Sequence, residues 1–180
     1  MLISKFKKID MNGVEEYENK ISEKLPDQFR TFIIKYNGGE TPNTSFKSGR
    51  ESSDIKGFYG LGDVKYSLDK IVPIENNGTK YLPVALDSFG NEILIDFKNG
   101  DISFMNHENG KITELVENLK TFIDLCESTP VSKGAVKSVE ERENDLIAKG
   151  RGNVITEALR DMWRAEIKKY SNLSLEEVIL

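Results

Sequence analysis

Residues 81–104, YLPVALDSFGNEILIDFKNGDISF, decide the architecture. Leu82 to Leu86 is a short apolar run that ends in the turn Asp87-Ser88-Phe89-Gly90-Asn91. Glu92 to Phe97 reads as a second strand. The Asn99-Gly100 pair after it suits a two-residue hairpin, because both residues tolerate positive φ. Ile102 and Phe104 then fall on one face of a third strand by period-two alternation. A further turn at Asn109-Gly110 precedes Ile112. Consecutive antiparallel strands joined by tight turns form a meander, and a meander with one apolar face needs helices over it.

The cover is sought on both sides of this stretch. Upstream, Leu25 to Gly39 reads LPDQFRTFIIKYNGG. A proline at the first turn forgoes only an amide that a helix leaves unused. Phe29, Phe32, Ile33 and Tyr36 form the inward face, Asp27 meets the positive helix end, and Asn37-Gly38-Gly39 stops the helix with a left-handed cap. A shorter helix over Glu15–Glu23 carries Val14, Tyr17 and Ile21 as its stripe. Downstream, a helix over Glu114–Cys126 is expected to cover the sheet through Leu115, Leu119, Phe122, Ile123 and Cys126. Between these blocks, residues 40–57 read as a polar loop with one short strand near Thr44–Lys47. Tyr66–Val72 reads as a short helix or turn with Leu68, Ile71 and Val72 inward.

The composition changes at 128–134, and the rest reads as helical. Ser138 and Glu141 have capping-box spacing, Gly150 supplies a stop, and Asn153 is placed to cap a longer helix bearing Ile155, Leu159, Met162 or Trp163, Ile167 and Tyr170 on one side. Ser174 starts a final turn. The expected organisation is a domain over 1–128 and a helical extension over 129–180, too short to build its own core, that packs on the domain, on a second copy as a homodimer, or on a partner.

Composition excludes several function classes. The 180 residues hold 30 acidic and 25 basic side chains, a formal charge of −5. That balance argues against direct nucleic-acid binding, which needs clustered Lys and Arg. It suits a basic protein partner. Cys126 is the only cysteine, so no internal disulfide forms, and a reducing cytoplasm fits. The first residues lack a signal-peptide pattern, and no apolar run nears the ~20 residues that cross a bilayer.

Chemistry finds little footing. With His107 the sole histidine, a His-His zinc motif is excluded. A His107–Asp96–Glu108 metal site and a Cys126–His107 nucleophile pair are conceivable, but a polar turn and an inert core thiol explain these residues as well. Ser88 lacks the Gly-x-Ser-x-Gly elbow, and Gly57 to Gly62 fits neither phosphate-loop pattern. Asp87, Glu92, Asp96, Asp101 and Glu108 border the meander. They read as solvated turn acids, as a hydrolase pair if two converge in a cleft, or as a negative patch that steers a basic protein. Tyr59 and Trp163 complete the candidate protein-binding residues, Trp163 as an interface anchor or as a side chain packed within its own helix pair. No catalytic, cofactor-binding or metal-binding residue is assigned.

Four blocks taken in order, LPDQFRTFIIKYNGG (25–39), FYGL (58–61), LPVALDSFGNEILIDF (82–97) and ISFMNHE (102–108), resemble the SUKH superfamily, most closely its branch named after a yeast cell-wall-synthesis regulator. The resemblance spans about residues 15–127. Met105 and Asn106 depart from the pattern, which has an aromatic and then aspartate before His-Glu. The resemblance implies an α+β fold, a mostly antiparallel sheet flanked by helices. It also implies a non-enzymatic role. Bacterial members are generally immunity proteins that neutralise toxins, often nucleases, and the yeast members are signalling scaffolds. An antitoxin with a cognate toxin partner is therefore the leading expectation, an intracellular scaffold or adaptor the alternative, and a hydrolase working through the carboxylate rim the third.

Overall fold

The computed structural model of the chain describes residues 1–129, 137–171 and 174–180. Contacts divide it into two units: residues 1–129 with 175–180, and residues 130–174. The first unit is α+β. Its strands are β1 (Leu2–Lys5), β2 (Gly39–Glu40), β3 (Asn43–Ser48), β4 (Glu51–Asp54), β5 (Gly57–Phe58), β6 (Ile74–Asn76), β7 (Thr79–Leu86), β8 (Glu92–Asp96), β9 (Ile102–Met105), β10 (Ile112–Val116), β11 (Glu127–Thr129) and β12 (Glu176–Glu177). Its helices are α1 (Met11–Ile21), α2 (Asp27–Tyr36) and α3 (Leu119–Leu125).

The meander read from 81–104 is the centre of the larger sheet, ordered β10-β9-β8-β7-β5-β2-β1-β12, with β6 also on β7. Neighbouring strands pair antiparallel throughout. On the inner face, Leu82, Val84, Ile93, Ile95 and Ile102 are fully or almost fully buried. A bulge between Pro83 and Ala85 interrupts the β7–β8 register, at a residue with no amide to give the ladder.

α2 covers this face through Phe29, Phe32, Ile33 and Tyr36, and the Phe32 and Phe58 rings lie 5.1 Å apart. Asn37 caps α2 in the left-handed region, and its buried side chain also ties three segments. Its Nδ2 donates to Lys7 O (2.7 Å) and Leu61 O (3.0 Å), and its Oδ1 accepts from Leu61 N (2.8 Å). Gly38 follows at φ +73°, where a Cβ would stand 2.5 Å from Tyr59 O. Both glycine properties, freedom and absence of bulk, are used there.

Several local expectations are corrected. The short strand expected near Thr44–Lys47 is present as β3, but the rest of 40–57 is not a plain loop: β3 pairs β4 in a hairpin, and β11 adds to β3 to make a second, three-stranded sheet. Thr44 and Phe46 face inward, and Phe46 packs on Phe122 and Phe104 with centroids at 5.3 and 6.0 Å. The expected helix over 114–126 begins only at Leu119, where the Asn118 side chain accepts from Thr121 N. Glu114 to Val116 belong to β10, because cross-strand partners on β9 outweigh the weak helical stripe. Leu68 is buried, but Val72 is 78% exposed. α1 starts at Met11, capped by Asp10.

The second unit contains α4 (Val139–Ala148) and α5 (Glu157–Ser171). Ser138 and Glu141 form the expected capping box. α5 is capped by Thr156, whose Oγ1 accepts from Leu159 N, and not by Asn153, which sits in a short 3-10 turn. Ion pairs Arg142–Glu166 and Arg160–Glu143 join the two helices. The compositional break read at 128–134 falls mostly on residues outside the described ones. The chain end differs from the expected helical turn: β12 pairs β1, and Val178 is buried in the main core. Residues 175–180 thus belong to the first unit and not to the helical extension.

Candidate functional site

Strand parity sends every second side chain of the meander to the face away from α2. On β8 these are Glu92, Leu94 and Asp96, paired in register with Leu86, Pro83 and Tyr81 on β7. On β9 they are Ser103 and Met105, opposite Glu114 and Ile112 on β10. Leu94 is fully buried at the centre of this outer face, apart from the main core cluster.

The two ends of the face differ. At one end, the β7–β8 turn is built around Asp87, only 2% exposed. Its Oδ1 accepts from Phe89 N and Asn91 N, both at 2.8 Å; its Oδ2 accepts from Ser53 Oγ and Asn91 Nδ2, both at 2.6 Å. Asn91 Oδ1 in turn accepts from His107 N at 3.0 Å and lies 3.0 Å from His107 Nδ1. Gly90, at φ +92°, lies beneath the His107 ring. Asp87 thus joins β4, its own turn and the β9–β10 turn. It is a buried hub, not a solvated turn acid. Phe89 stands out of this turn, 69% exposed.

Beside the hub, Tyr59 is buried and its hydroxyl donates to Glu92 Oε1 at 3.1 Å. Burial pushes the Glu92 carboxyl above its usual range, although the tyrosine hydrogen bond works the other way. The Tyr59 phenol is pushed well up by burial and then by the neighbouring carboxylate.

At the other end lies a polar trough of about 390 Å³, lined by Asp96, Asp101, Ser103, Glu114, Tyr81 and Ile112 together with Asn76, Asn77, Thr79 and Asn99. Asp96, 8% exposed, accepts from Lys98 N at 2.8 Å. Asp101 Oδ2 accepts from Asn99 Nδ2 at 2.6 Å. No lysine, arginine or histidine lines the trough. Among the described residues none of its three carboxylates has a salt bridge.

The structure therefore brings Asp96 and Asp101 together and leaves Asp87 and Glu92 at the opposite end. Glu108 is exposed on the β9–β10 turn, its amide held by Asn106 Oδ1. Trp163 lies in the helical unit, 8% exposed, with the Arg142 guanidinium 5.8 Å from its ring centroid. Glu114, Ser103 and Tyr81 were not singled out from sequence. Glu114 was hidden by the helical reading of its segment. Ser103 left a legible trace as the one polar residue in the run ISFM. No three acidic, histidine or cysteine groups among the described residues are placed to hold a metal ion. The Cys126 thiol is buried and pushed up to about 12 by that burial, an inert setting. No described helix is long and apolar enough to cross a membrane.

Comparison with known proteins agrees with this architecture. A prophage-derived uncharacterized protein, YokK of the SPbeta prophage in Bacillus subtilis (strain 168), is 28% identical over 116 residues, covering 53% of this chain. The chain spans 60% of that relative's length. A family model described as SMI1-KNR4 cell-wall, SUKH_6, matches residues 12–123, which run from α1 through the meander to α3. The chain belongs to this SUKH family.

Proposed function

We propose that the chain is an immunity protein, a non-enzymatic antitoxin of the cytoplasm that neutralises a cognate toxin by covering its working surface. Family membership supports this reading, because SUKH proteins include toxin-binding immunity proteins. The observation that carries it is the outer face of the meander. A rigid sheet presents Asp96, Asp101 and Glu114 with no cation among the lining residues to neutralise them. Glu108 and Glu92 extend the acidic border at the far end, while the buried Tyr59 and Asp87 hold that end in shape. Such a surface speeds encounter with a basic partner and disfavours acidic ones. A nuclease, whose cleft must attract phosphates, has the matching charge. A stable complex of this kind buries about 800 Å² on each partner.

Co-expression with the toxin encoded beside the gene tests the proposal. Restored growth and co-purification of the two chains are expected. Growth arrest that continues undiminished, with no complex recovered, would overturn it.

A further inference from the structure

Charge alone does not make the trough a binding site, but the trough has a second feature. Ser103 is 3% exposed, lines the trough, and makes no side-chain hydrogen bond among the described residues. Its backbone is committed to the ladder between Leu94 and Glu114, so the side chain cannot be re-aimed without breaking the sheet. The hydroxyl has no protein partner and opens onto the trough, so its hydrogen bonds go to whatever fills that space, water in the free chain or a polar group of a ligand. Like charges on neighbouring strands carry a cost: Asp96 and Asp101 flank one turn, and Glu114 lies on the next strand.

The remaining walls narrow the chemistry of the occupant. Three carboxylates, on β8, in the turn before β9 and on β10, do not group to hold one metal ion, yet they line one space of about 390 Å³. Tyr81 offers an aromatic face and Ile112 an apolar one. A planar, delocalised cation on an aliphatic stem uses all of these at once. Its fork of N–H donors reaches separated carboxylates and the Ser103 hydroxyl, its plane stacks on a tyrosine, and its methylenes rest on isoleucine. A lysine ammonium, a strongly hydrated point charge, uses fewer of them.

We infer that the trough is a socket for an arginine side chain projecting from the surface of the protein partner, held by Asp96, Asp101, Glu114 and Ser103 and flanked by Tyr81 and Ile112. This rests on the outer face being the partner-binding surface. It deepens that reading by naming the residue type the partner must present.

The test needs no toxin. Acetyl-arginine amide is titrated into the full-length chain at low ionic strength while amide resonances are followed by NMR, with acetyl-lysine amide in parallel. Saturable shifts at Ser103, Glu114 and Tyr81 are expected with the arginine probe, at several-fold lower concentration than with the lysine probe. Asp101→Asn and Glu114→Gln, at half-buried and exposed positions, keep the fold, checked by an unchanged melting curve, and each weakens the arginine response about fivefold. Ser103→Ala weakens it less while leaving the lysine response unaltered. The inference is overturned by an absent or non-saturable response, by equal affinity for the two probes, by indifference to the carboxylate substitutions, or by the same resonances shifting with protein concentration alone, which would make a second copy the occupant. Toxin neutralisation without probe binding would sink the socket and spare the antitoxin reading; probe binding without neutralisation would do the reverse.

Discussion

Asp87 and Asp101 are the same residue type, each in a turn of the same meander, and their surroundings are opposites. Asp87 is enclosed and accepts four hydrogen bonds from three residues. Asp101 shares one carboxylate oxygen with Asn99 and lines a trough that contains no cation. An acid whose donors are all supplied from within its own chain is spent on architecture. One whose donors are missing is available to something else. The difference separates residues that sequence alone had put in one class.

The comparison can be broken first by stability. Asp87→Ala leaves several donors unpaired in a buried site and is expected to destabilise the chain by about 3–5 kcal/mol. Denaturant unfolding checks this, and a loss below 1 kcal/mol would remove the hub from the account. The next effect is on association. Replacing Asp101 and Glu114 together by Asn and Gln is expected to slow binding of a basic partner about tenfold at low salt and to flatten its salt dependence. Stopped-flow or surface-resonance rates read this directly, and an unchanged association rate would mean that the trough does not steer. The same double substitution is expected to change folding stability by no more than about 0.5 kcal/mol, since it touches no buried internal network.

The smallest effect concerns Glu92, midway between the two cases. Burial raises its carboxyl above the ordinary range, so the folded chain holds this proton more tightly than the unfolded one. The stability this confers is present below the unfolded pKa and is lost as pH rises through the folded value. Glu92→Gln keeps an acceptor for Tyr59 and is therefore expected to be neutral in acid and slightly stabilising at neutral pH. Melting curves across that pH range decide it. A destabilised variant at neutral pH would show the ionised carboxylate to be worth more to Tyr59 than its burial costs.

The meander, α2 and its Asn37 cap were legible because each is decided locally, by alternation, by a 3.6-residue stripe, or by a residue that tolerates positive φ. The β3–β4 hairpin was not. Its partner strand β11 lies about eighty residues away, and no local pattern in Glu127–Thr129 announces it. The strand at Glu114–Val116 was missed for a related reason. Its apolar residues also fit a helix, and only the register with β9 settles the matter. At the site, residue type was legible and environment was not. That Asp87 points into a ring of donors while Asp101 faces an open trough depends on which strands become neighbours.

The short terminal strand β12 has a bearing on protein engineering. Ser128 Oγ accepts from Leu2 N, and Leu2 is also the register partner of Glu177. The polypeptide therefore leaves the first unit from the smaller sheet, beside Leu2, and returns to it on the larger sheet against the same residue of β1, with the helices between in sequence. Cutting everything after Thr129 would discard more than an appendage. Ile3 would lose its neighbour strand and Tyr36 the amide of Ile179 that its hydroxyl holds. A clean excision is internal, replacing residues 130–174 with a brief flexible bridge and keeping the last six.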